Sequence, residues 1–197
     1  TGANNTAIGN QSLEQNTTAD NNTAVGNASL DANTTGAGNT ALGQSSLGSN
    51  TTASDNTAVG HQALFTNVTG ANNVAVGKNA LYYNTASTNT AIGNLAMTNT
   101  STGAGNTAVG QNALTANTTG TENVAIGKNA LDANTEGGYS VAVGNSALGA
   151  QTTGANNVAV GRTALAALTT GTRNTVVGGS YALGAGAAIT TGYHNVI

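Results

Sequence analysis

A five-residue phrase runs through this chain: Asn, then Thr or Val, then Ala, then an aliphatic residue, then Gly. Its closing glycines are Gly9, Gly26, Gly43, Gly60, Gly77, Gly93, Gly110, Gly127, Gly144, Gly161 and Gly178. Nine of the ten steps between them are 17 residues, and the step from Gly77 to Gly93 is 16. A fixed short period of this kind predicts a solenoid, in which each repeat forms one coil stacked on the next.

Each column of the repeat has its own chemistry. The residue before the Gly is always Val, Ile or Leu, and the one before that is Ala everywhere except Val176. Four residues after the Gly stands Leu, replaced by Met97 in one coil and shifted by one residue to Leu183 after Gly178. The position just after the Gly varies among Asn10, Gln44, His61, Lys78, Lys128 and Arg162, as a water-facing position does. The Thr/Val-Ala-Val/Ile triplet reads as a short strand of period two.

We expect the aliphatic ends of that triplet to point inward and the Ala outward. The expected core is therefore Val25, Val59, Val76 and Val109, joined by Leu64, Leu81, Leu114 and Leu131 from a second short strand. The "NTTG" segments supply turn chemistry, with Asn bonding to its own backbone and Gly taking a positive φ. Helix is disfavoured, because Gly, Asn and Thr are poor helix formers and too few apolar residues fall on one helical face. The architecture expected is an all-β parallel solenoid of about 11–12 coils, regular over 1–178. Residues 179–197, which open on an extra Gly179, read as an irregular coil or a transition to a following domain.

An outward Ala column has no reason to stay small unless another surface lies against it. Ala24, Ala58, Ala75, Ala108 and Ala125 are therefore the expected contacts with sister chains. A parallel homotrimer around one axis would add the apolar burial that each thin coil lacks.

Composition narrows the functions. Only 6% of residues are charged and 3% aromatic, with no Pro, Cys or Trp, so neither a conventional core nor a disulfide framework is available. Four cations against seven acids cannot form the basic stripe that nucleic acid needs. No apolar run is long enough to cross a membrane as a helix. The chain opens mid-pattern at Thr1, which reads as a segment of a longer protein.

Candidate chemistry is sparse. The two histidines, His61 and His194, are far apart in coil order, and no Ser forms a nucleophile motif with either. Glu14 and Asp31 fall in the same column of adjacent coils, with Asp132 further along, but nothing in the pattern buries them as a general acid–base pair requires. Calcium-binding nonapeptides and phosphate loops are absent. No catalytic, cofactor or metal site is expected.

Two solenoid chemistries compete with a structural role. A left-handed acyltransferase helix would need its hexapeptide three times per coil, whereas "VGNAS" and "VGQNA" occur once. Ice binding uses flat Thr ladders, and pairs such as Thr34–Thr35 and Thr118–Thr119 recur, but adjacent side chains of a strand point to opposite faces. Elsewhere, Phe65 and Tyr82 share a column in consecutive coils with Tyr83 beside them, a candidate glycan contact. The structural alternative is cross-coil packing next to the one-residue deletion. The Asn-x-Thr triplets, such as Asn16–Thr18, follow from composition.

The phrases "NNTAVG" (21–26), "NNVAVG" (72–77 and 156–161) and "ENVAIG" (122–127) resemble the "NSVAIG" head repeat of YadA-type trimeric autotransporter adhesins. Similar "NTTGxxNTAxGxxAL" repeats occur in phage tail fibres. The resemblance covers essentially the whole chain, although the repeat here is longer than the adhesin head's. It implies a left-handed trimeric β-roll, extracellular on a cell surface or virion, used for attachment to a host glycan or protein receptor. The expected function is thus a rigid, non-enzymatic fibre segment. The alternatives are an ice-binding solenoid or a self-assembling surface filament.

Overall fold

A computed structural model describes residues 2–179 and 191–192. The described chain is an all-β parallel solenoid of about ten coils with no helix among these residues. Eleven three-residue strands, one per repeat, form a single sheet: β1 Thr6–Ile8, β2 Thr23–Val25, β3 Thr40–Leu42, β4 Thr57–Val59, β5 Val74–Val76, β6 Thr90–Ile92, β7 Thr107–Val109, β8 Val124–Ile126, β9 Val141–Val143, β10 Val158–Val160 and β11 Thr175–Val177. They pair in sequence order, all parallel, with Ala over Ala at every step up to β10. At ~4.8 Å per strand, the ten steps make a sheet about 48 Å long.

The strand faces the opposite way from the sequence expectation. The Ala column is wholly buried within its own chain: Ala24, Ala58, Ala75, Ala108 and Ala125 have no exposed surface. They cannot be the contacts with sister chains. The aliphatic column instead points outward, so Val25, Val59, Val76 and Val109 are part-exposed and do not belong to the core. Leu64, Leu81, Leu114 and Leu131 are fully buried and share one cluster with the Ala column.

The reason lies in the Asn that opens each phrase. Asn39, Asn56, Asn106 and Asn123 are fully buried. Nδ2 crosses the coil to donate to a turn carbonyl, as in Asn39 to Ala53 O (2.9 Å) and Asn106 to Gly120 O (2.9 Å). Oδ1 accepts the backbone N–H of the Asn one coil on, as from Asn39 N to Asn22 Oδ1 (2.9 Å). Burying an amide is costly unless its hydrogen bonds are made, and this arrangement makes them. Since side chains alternate along a strand, an inward Asn forces the Ala two residues later inward as well. That inner position holds Ala in ten strands and Val176, also fully buried, in β11.

A second amide column closes the turn. Asn33, Asn50, Asn117 and Asn134 donate to the carbonyl three residues on, and Asn33, Asn50 and Asn134 also to the equivalent Asn one coil below. One coil departs from the pattern in both columns together. Ser140 replaces the first Asn and Gln151 the second, and the longer Gln151 Nε2 reaches Ser140 Oγ (3.3 Å) while its Oε1 accepts from Asn157 (2.8 Å).

The second strand expected around the Leu does not form; that segment is a run of turns. Its Leu residues hold φ near +50°, for example 54° at Leu64 and 53° at Leu114, while their N–H groups still bond to the next coil. The glycines of "NTTG" also differ from expectation, since they carry no positive φ. A Cβ on Gly120 would lie 2.4 Å from Gly137 O in the next coil, while Ala19 and Ala53 fill the same column elsewhere. Positive φ falls two residues later, at Asn72 (59°) and Glu122 (56°). The expectation for the C-terminal irregular coil falls almost wholly outside the described residues.

Candidate functional site

With Ala inside, the two outer rows of the sheet become the largest candidate surface. One row is Thr6, Thr23, Thr40, Thr57, Val74, Thr90, Thr107, Val124, Val141, Val158 and Thr175. The other is Ile8, Val25, Leu42, Val59, Val76, Ile92, Val109, Ile126, Val143, Val160 and Val177. Neither row contains a charge. Leu42 is 47% exposed in mid-sheet, and Ile92 and Ile126 also stand exposed. Among the described residues, the hydroxyls of Thr23, Thr40, Thr57, Thr90 and Thr107 have no hydrogen-bond partner. The face is therefore a straight, uncharged array of methyls and free hydroxyls, spaced ~4.8 Å apart along the stack.

Sequence reasoning missed this face, although a signal was present. Size varies in the aliphatic column, among Val, Ile and Leu, whereas Ala is almost invariant. Variation in size fits an outward row, and constancy fits a confined one.

The Thr pairs of the turns behave otherwise. The first Thr of a pair spends its hydroxyl on the next coil: Thr34 Oγ1 donates to Thr51 O (3.0 Å), and Thr118 Oγ1 to Thr135 O (3.0 Å). The second, such as Thr35 or Thr119, stands exposed on the outside. These pairs do not form a two-row face.

The aromatic residues do come together. The Phe65 and Tyr82 rings stack at 5.3 Å between centroids and 28° between planes. Tyr83 meets Tyr82 edge-on at 4.6 Å and 73°. Phe65 is seated over Gly48, where a Cβ would come within 2.9 Å of its Cε2. Phe65 and Tyr82 are part-buried, whereas Tyr83 is 53% exposed.

The titratable groups are scattered. Asp31 has its carboxyl pKa raised, first by burial and in a smaller measure by the charge of Glu14, against the lowering hydrogen bond from Ala32 N–H (3.0 Å). Burial likewise raises Asp132. His61 is exposed in the column after the Gly. Among the described residues no cluster of His, Asp and Glu could hold a metal, and no pocket opens on their surface. The described residues thus offer two surfaces for contact: the long sheet face and the small aromatic cluster.

No known family model matches the chain, and no curated protein or solved structure matches it either.

Proposed function

We propose that this chain is a structural segment of an extracellular fibre, in an adhesin or a phage tail fibre, that self-associates through the outer rows of its sheet. The left-handed winding and the parallel homotrimer implied by the repeat phrases belong to this proposal, as does a cell-surface or virion location. The observation that carries it is the unpartnered Thr/Val and Val/Ile/Leu face. Two outward side chains on each of eleven strands form one continuous face along the stack, and a stable interface takes ~800 Å² per partner. Parallel register lets rows on different chains run alongside each other for the whole length of the rod. A rod of such coils is stiff because every coil is bonded to its neighbours by backbone ladders and buried amides. Its role is mechanical: it holds an attachment site away from a surface, with a host glycan or protein receptor as the partner.

The test is sedimentation at micromolar concentration. The expected species has three times the 19.0 kDa of one chain, and a stable folded monomer would end the proposal. Val109→Lys together with Ile126→Lys, both on the outer row, should dissociate it without unfolding the coils.

A second reading, ice binding, is favoured by the free hydroxyls of Thr23, Thr40, Thr57, Thr90 and Thr107, which sit in register beside the aliphatic row. It requires that face to be open to solvent. Thermal hysteresis from a monomer would select it, and no hysteresis would dismiss it. A self-assembling surface filament would show as open-ended oligomers in the same sedimentation run.

A further inference from the structure

We propose that Tyr82 and Tyr83 form a small platform for a neutral pyranose sugar. The inference deepens the attachment reading and rests on it only for its biological setting. It starts from how unusual the spot is. In the columns five and six after the Gly, the other described residues are mostly small, among them Gly48, Ser49, Thr66, Thr98 and Asn99. Three rings are gathered in this one place.

The fold holds the rings before any ligand arrives. Gly48 leaves the room that Phe65 fills, and Phe65 in turn supports Tyr82 by stacking. The positive φ of Leu81 (52°) turns the chain so that consecutive tyrosines both reach the outside. The Tyr82 and Tyr83 planes stand 73° apart, and Tyr83 is the more exposed of the two rings. No ring follows Tyr82 in the next coil. Thr98 occupies that place, and its hydroxyl is turned away to donate to Asn79 O (3.0 Å). Beside it, Asn99 is exposed and its side-chain amide makes no hydrogen bond within the chain.

This combination selects the ligand class. An aromatic face matches the C–H face of a pyranose, and an unpaired amide with phenolic hydroxyls matches its equatorial hydroxyls. The cluster itself contains no charge, so an anionic or cationic group would gain nothing from it. A single platform binds weakly, and parallel copies in one fibre would raise the avidity.

The probe is cellopentaose, whose β-linked rings present both faces as C–H, observed by saturation-transfer NMR on the intact chain. Transfer to the sugar C–H protons is expected. Tyr83→Ala should weaken it about two- to tenfold, the range of one aromatic contact. Tyr83→Phe should retain most of it, and Tyr139→Ala, at an exposed but isolated tyrosine, should leave it unchanged. Circular dichroism of each variant checks that the coils stay folded. No transfer at millimolar sugar, or equal loss from Tyr83→Ala and Tyr139→Ala, overturns the platform. Either failure would leave the rod reading intact, since sedimentation decides that separately.

Discussion

Ala108→Leu is the sharpest test of which way the strand faces. Ala108 lies between Ala91 and Ala125 in parallel register, and none of the three has exposed surface. The Ala column shares one fully buried cluster with the Leu column, so three added carbons at Ala108 project into space the Leu side chains already fill. They must push the Leu column aside. Overpacking of this kind costs about 1–3 kcal/mol. The control is Val109→Leu, one residue away on the outer row, where an extra carbon reaches solvent or a sister chain and the cost stays within ~0.5 kcal/mol. The assay is guanidinium unfolding followed by circular dichroism, with amide exchange at Thr107 and Gly110, whose N–H groups bond to Asn123 O and Ile92 O. Ala108→Leu should lower the midpoint and speed exchange at both sites. If it left unfolding unchanged but altered the oligomer mass, the Ala column would face a sister chain and the reasoning would be refuted.

Gly110→Ala should be still more damaging. At φ 138° its Cβ would lie 2.6 Å from the backbone of Gly127, and we expect a loss of more than ~3 kcal/mol, or no soluble protein, in the same denaturation assay. Ser140→Asn alone should cost about 1–2 kcal/mol by crowding Gln151 and breaking its bonds, whereas Ser140→Asn with Gln151→Asn should recover most of that, giving a measurable coupling in a double-mutant cycle. Acid should not weaken the fold through Asp31 and Asp132. Both hold their proton more tightly folded than unfolded, so their contribution is fully present below the ordinary value of 3.8 and is lost as pH rises through the raised folded values. Asp31→Asn with Asp132→Asn should therefore raise the melting temperature slightly at pH 7 and not at pH 3, and the reverse pattern would contradict it. Finally, the melting temperature should climb with protein concentration, and Val109→Lys with Ile126→Lys should abolish that dependence.

Much of the coil was legible in the sequence. The spacing of Gly9 through Gly178 set the period, the β-branched triplets marked the strands, and Leu64, Leu81, Leu114 and Leu131 are buried as their column suggests. Hydrophobicity misled where size mattered more. Val109 is more apolar than Ala108 and so is expected inside, but the buried amide of Asn106 fixes the parity of the strand and puts the methyl there instead. The Leu column looks like strand because strands favour such residues. Yet the turn conformation of Leu114, at φ 53°, depends on contacts with neighbouring coils and has no local sequence mark. The aromatic column was readable from Phe65 and Tyr82 alone. The edge-on placement of Tyr83 was not, because it needs the turn geometry of the coil.

The inversion of Ala and Val has a consequence for stability that links fold to function. A coil whose inner positions hold Ala, Leu and two amides buries little apolar surface for its length, while the larger side chains of the same strand stay outside. The amides set the cross-section and register of each coil, and they do so at the expense of core volume. Under the proposed self-association, a neighbouring chain would cover the aliphatic side chains left outside. On this view the buried Asn columns and the outward aliphatic row are two halves of one solution, and a segment built this way gains most by lying alongside its own copies.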